Sequence, residues 1–135
     1  MSVPAELDEA QLEALIPLFY ARVRGDVILA PVFDSAIADW DDHLEKLVGF
    51  WSSVMLASGR YKGNPVAAHM KRLARITPPM FDRWLALWAA VTDENMTAAN
   101  ASALQQKAAR IAESLKLALY FRLPPAPKKT AVATS

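Results

Sequence analysis

The chain has no cysteine. Disulfides, thiolate metal sites and cysteine nucleophiles are therefore excluded. Glycine is scarce, at four residues, and histidine scarcer, at two. Neither sign of charge dominates: 15 Lys and Arg face 14 Asp and Glu, for a formal net charge of +1. No Lys/Arg run exceeds two residues, so a nucleic-acid partner is not expected. No apolar run approaches the roughly 20 residues that span a bilayer, so no membrane partner is expected either. Strand-type alternation is nearly absent. The opening MSVPAELDEAQ is acidic and polar, unlike a signal peptide. A cytoplasmic, monomeric or weakly associating protein is the expectation.

What is present is a generous interior. Hydrophobic residues make up 53% of 135, enough for one domain with a sizeable core. Helical periodicity dominates, so the expected class is all-α. Asp8 is placed to cap a first helix, with Gln11 completing a capping box. Its inner stripe is Leu12, Leu15, Ile16, Phe19 and Val23. Pro17 should break it into a piece ending near Ile16 and a second from Pro17 to Arg24. Gly25 and Asp26 then turn the chain. PVFDSAI, Pro31 to Ile37, should be a helical turn at most. Asp39 caps a long helix with Trp40, His43, Leu44, Leu47, Trp51, Val54 and Met55 inward. Asp41, Glu45, Lys46, Ser52 and Ser53 form its outer face, and Gly59 should end it. Asn64 and Pro65 open a helix that carries His69. Thr77 and Pro78 open the next, with Phe81, Trp84, Leu85, Trp88 and Val91 inward. A last helix should run from about Thr97 to Arg122, with Leu104, Ala108, Ile111, Leu115 and Ala118 inward. The Pro- and Ala-rich tail, residues 123–135, should be flexible.

Both histidines fall on apolar stripes, on different helices and 26 residues apart. A buried imidazole needs a partner, yet no Asp or Glu lies between Pro65 and Met80. Two imidazoles are too few for a structural zinc site, which takes four ligands. They suffice for haem, with one axial ligand and one distal neighbour. A hydrogen-bonded core histidine explains either one singly. The two together, with every aromatic stripe facing one core, mark a candidate site.

The ordered pieces FYARVRGD, APVF, WDDHLEKLVGFW, YKGNPVAAHM and FDRWLALW resemble the truncated haemoglobins, short bacterial globins, and specifically their third group. The similarity covers about Leu12 to Tyr120. Groups one and two usually carry paired glycines at two turns between helices. Here Gly25, Gly49, Gly59 and Gly63 stand singly, as in group three. The resemblance implies a two-over-two helical sandwich around haem b, over residues 1–122, with the first globin helix largely missing. It makes His69 the proximal iron ligand, Tyr20 the tyrosine facing the bound gas, His43 the distal residue and Trp84 the distal tryptophan. Phe33 matches the phenylalanine that wedges against haem. Phe19, Leu47, Phe50 and Trp51 match apolar pocket positions, and Met70 adjoins the ligand. Tyr61 lies in a loop motif common in the group. The RLARIT stretch after His69 is longer and more basic than in the family pattern.

Haem is a flat hydrophobe with two carboxylates, so its rim wants cations. Lys71, Arg72 and Arg75 are near in sequence, although the same three also read as a solvated face. Dioxygen held by iron gathers partial negative charge. Tyr20 and Trp84 offer donors to it, and an indole N–H can only donate. Core packing is the alternative role for both rings. The nearest acceptor for His69 is the Pro65 carbonyl, one turn back. That neutral acceptor predicts a globin-like ligand and modest peroxide turnover. Three functions follow: a binder of dioxygen, carbon monoxide and nitric oxide, for storage, transport or sensing; an enzyme acting on nitric oxide or peroxide with an external electron donor; or a haem-free helical interaction module. The candidate catalytic residues are Tyr20, His43 and Trp84.

Overall fold

The computed structural model describes residues 6–70 and 75–120. Six helices and no strand occur among them: α1 Glu9–Arg24, α2 Ala30–Ala36, α3 Trp40–Leu56, α4 Pro65–Met70, α5 Pro78–Asn95 and α6 Ala98–Leu119. The all-α expectation holds. No helix is long and apolar enough to cross a membrane among the described residues.

α1 begins as anticipated. Asp8 accepts the Gln11 amide while the Gln11 side chain accepts the Asp8 amide. The expected break at Pro17 does not occur; α1 runs through it. Pro17 is exposed, so water can solvate the carbonyl that loses its donor. Interior proline costs about 3 kcal/mol. Leu12, Leu15, Ile16, Phe19, Tyr20 and Val23 are all buried on the opposite side. Each contributes roughly 1.5–3 kcal/mol when fully buried, so the continuous stripe outweighs one missing hydrogen bond.

The turn at Gly25 and Asp26 is tied down by a carboxylate. Asp26 accepts the amides of Ile28 and Leu29 and pairs with Arg83 of α5. That anchoring lets α2 extend over seven residues rather than one turn. α3 starts at the expected cap, where Asp39 accepts the Asp42 amide. It ends earlier than Gly59. Its last helical residue is Leu56, followed by Ala57 in the left-handed region at φ 56°. Ser52, expected outside, is fully buried. It donates to Glu9, contacts the Ser58 hydroxyl, and shares Glu9 with Arg60. This polar cluster pins the chain after α3 against α1 and so sets where the helix stops.

Thr97 caps α6 through its hydroxyl, whereas Thr77 caps α5 by position alone. The inner side of α6 is Ala101, Leu104, Ala108, Ala112, Leu115 and Leu119. Ile111 and Ala118 are only half-buried. The core lies where α1 crosses α3 and α5. Trp88, fully buried, donates its indole N–H to the Leu104 carbonyl at 3.1 Å. α4 rests on α6. The expected helix end at Arg122 and the tail lie outside the described residues.

Candidate functional site

Regular helix spacing builds the site. His43, Leu47, Phe50 and Val54 recur at four-, three- and four-residue intervals along α3, so they share a face. On α4, Pro65, Val66 and His69 share one likewise. A cavity of about 450 Å³ opens between these two faces, with Phe50 and Val54 on one wall and Pro65 and Val66 on the other. Ile111, Ser114, Leu115, Lys107 and Arg110 of α6 complete it. Each helix carries a histidine further along the same face, but neither histidine lines this cavity; His43 lines a second one of about 280 Å³ with Ile37, Asp39 and Lys46.

The His69 ring is half-buried and stacks on Phe81, centroids 6.2 Å apart and tilted 26°. Its Nδ1 lies 2.7 Å from the Pro65 carbonyl. A carbonyl only accepts, so Nδ1 carries a proton. In the neutral ring Nε2 then holds the lone pair that a metal takes. The acceptor is the one anticipated from sequence. Glu113, an alternative carboxylate from α6, pairs instead with Lys116.

On the α3 side an aromatic cluster gathers. The Tyr20 ring stands 6.1 Å from His43, 5.7 Å from Phe33 and 6.2 Å from Trp40. Phe19 joins Tyr20 to Trp84, at 4.7 and 5.0 Å. Burial pushes the Tyr20 phenol well above its ordinary value, and a hydrogen bond with Trp84 opposes that in part. An indole N–H can only donate, so the bond runs from Trp84 to the Tyr20 oxygen. The Tyr20 proton remains available to a third group. His43 Nε2 is buried without a hydrogen-bond partner among the described residues. Burial, then Lys46, holds His43 below the usual imidazole range, with Asp42 opposing. His43 is thus neutral near pH 7. A buried, unpartnered imidazole nitrogen beside a phenol proton suits a polar ligand.

The structure brings Tyr20, His43, Phe33 and Trp84 into one neighbourhood and puts Leu47 on the wall face. Trp51 is nearly fully buried and stacked on Trp88; like Tyr20, Trp84 and both histidines, it does not line the cavity of about 450 Å³ itself. Arg75 is exposed. Met70 is the last described residue of α4, while Lys71 and Arg72 lie outside the described residues. Sequence reasoning missed Lys107 and Arg110 at the cavity. Their α6 spacing, alternating with Ala108 and Ile111 of the inner stripe, was the available signal. Among the described residues, no group of three or more His, Asp or Glu is arranged to hold a metal ion. A bare-ion site is thus unsupported, whereas a single imidazole suffices for an iron already held by a macrocycle.

No family model matches the chain. Over 94 residues it is 28% identical to "Group 3 truncated hemoglobin ctb" of Campylobacter jejuni, spanning 67% of this chain and 70% of the relative. The crystal structure of the group III truncated hemoglobin from Campylobacter jejuni superposes with a TM-score of 0.81 at 27% identity. That match covers 90% of this chain and 97% of the other.

Proposed function

We propose, from the premise that this chain is a truncated globin of the third group, that it holds haem b on His69 and reversibly binds dioxygen. The observation that carries the reading is the His69 imidazole, with Nδ1 tied to the Pro65 carbonyl and Nε2 left as the donor atom. That pairing fixes tautomer and ring orientation, as the outer partner of a ligating histidine does. When bound, haem supplies an iron with one open position for a diatomic gas.

The chain's residues do the rest. Pro65, Val66, Phe50 and Val54 give the slot apolar walls. Tyr20 holds a proton at Oη that burial keeps in place. Trp84 orients that hydroxyl by donating to its oxygen, so the proton faces outward from the pair. His43 offers its unpartnered Nε2 as a second polar contact. Where Tyr20 and the His43 nitrogen are buried, each such bond is stronger than in water. Lys107 and Arg110 are the described cations nearest the slot and suit the carboxylates of haem. Dioxygen takes more charge than carbon monoxide, so the site favours holding dioxygen. Slow release follows, which suits storage or sensing better than transport. Conversion of nitric oxide or peroxide stays secondary: among the described residues the partner of His69 Nδ1 is a carbonyl, not the carboxylate that makes a ligand electron-rich.

The test is reconstitution with haem b. Wild type should give a Soret band and a stable oxygenated spectrum. His69→Gly should lose stable haem or need added imidazole to keep it. A normal five-coordinate ferrous spectrum in His69→Gly would overturn the assignment.

A further inference from the structure

Nine aromatic rings make an unbroken chain through the molecule, and gas binding uses only its first part. Beyond the pocket, Trp84 stacks on Trp88 at 5.4 Å and 12°, and Trp88 stacks on Trp51 at 4.5 Å and 19°. Phe50 then bridges Trp51 to Tyr61, with centroids at 5.7 and 5.2 Å. Tyr61 is half-buried in the loop after α3, between exposed residues on both sides. Its hydroxyl sits over Gly63, where an added Cβ would come within 2.5 Å of it. Packing needs aromatic volume. It does not need three near-parallel indoles, the most easily oxidised rings of the core, leading from a gas pocket to a surface phenol.

We propose that Trp84, Trp88, Trp51 and Tyr61 form a redox exit that carries single oxidising equivalents from the pocket to the protein surface. The proposal rests on the haem reading for its source of oxidant. The oxidant class is hydrogen peroxide, which takes two electrons and two protons to become two waters. Each passage supplies one of those electrons. Trp84 gives up an electron, Trp88 refills Trp84, Trp51 refills Trp88, and Tyr61 refills Trp51. The Tyr61 O–H bond breaks as its electron leaves, and the proton goes to solvent. The resulting phenoxyl is closed by a one-electron, one-proton donor of the thiol or phenol class from solution.

Charge and burial set the direction. Trp40, at the other end of the aromatic chain, lies 4.4 Å under the Arg24 guanidinium, which disfavours a radical cation there. Tyr20 is buried, and burial pushes its phenol well above the ordinary range, so it holds its proton. Tyr120 packs on Phe81 beside His69, but its hydroxyl donates to the Ile76 carbonyl, which cannot accept a proton outright. Tyr61 is the terminus that can shed its proton to water.

Haem uptake is recorded first, as the Soret band. Haem-loaded protein is mixed with hydrogen peroxide and freeze-quenched for electron paramagnetic resonance. A tyrosyl radical is expected in wild type and should be lost in Tyr61→Phe, whose Soret band is unchanged. Trp88→Phe, with folding checked by circular dichroism, should lower the tyrosyl yield and leave a tryptophanyl signal. If no Soret band forms, the haem reading has failed and the relay is tested alone. Azidyl radicals from pulse radiolysis then oxidise tryptophan in the same chain. Tryptophanyl absorption should decay as tyrosyl absorption grows in wild type, and persist in Tyr61→Phe. An undiminished tyrosyl signal in Tyr61→Phe, a radical mapped to Tyr20, Tyr120 or Trp40, or no protein radical at all would overturn the proposal.

Discussion

Tyr20 carries a proton it gives up reluctantly, because burial penalises the phenolate. In the proposed function its value to a gas ligand is that proton, with Trp84 hydrogen-bonded to its oxygen. Tyr20→Phe keeps the ring and removes only the donor. A hydrogen bond to a charged group contributes roughly 1.5–3 kcal/mol, or about one to two decades in rate. Dioxygen release should accelerate by that amount in stopped flow, with carbon monoxide release changing less. Equal acceleration of both gases would point to altered access rather than a lost bond. His69 and His43 were nameable from residue type and spacing, whereas Tyr20 and Trp84 were named through the resemblance to the truncated haemoglobins. The tautomer of His69 was also within reach, since its acceptor lies one turn back on the same helix. The Trp84–Tyr20 bond was not, because the two rings come from α5 and α1 and only packing brings them together.

Helix starts were legible and helix interruptions were not. The caps at Asp8, Asp39 and Thr97 involve groups three residues apart, so local sequence contains the whole interaction. The continuity of α1 through Pro17 depends on six side chains buried against other helices. This element should therefore gain from losing its proline. Pro17→Ala restores an amide donor inside the helix, worth about 3 kcal/mol, and loosens the unfolded chain by up to about 1 kcal/mol. The net expectation is a stabilisation of roughly 2 kcal/mol by urea unfolding. A neutral or destabilising result would mean that α1 bends at Pro17 to serve the packing of Tyr20. The end of α3 makes the same point. Gly59 looked like the stop, yet the Glu9–Ser52–Arg60 cluster holds the turn at Ala57.

At the scale of the whole molecule, α4 carries the proposed iron ligand and rests on α6, with the slot between it and α3. Its order should depend on what fills the slot between it and α3. A group that binds only the folded state stabilises by about 2.7 kcal/mol at 100 times its dissociation constant. Haem addition should therefore raise the urea midpoint, and amide exchange over Pro65–Met70 should slow more than in α5 or α6. Identical α4 exchange with and without haem would sink this coupling and weaken the assignment of the slot.

Composition, caps and periodicity determined the all-α class, most helix starts and the placing of both histidines on helices, because those signals act over one or two turns. Tertiary structure decided the rest. It kept α1 whole, buried Ser52, stacked Trp51 on Trp88, and brought Lys107 and Arg110 of α6 to the cavity beside α4. Each of these depends on groups distant in sequence meeting across a packed interface. There, burial and pairing outweigh the local preference of any single residue.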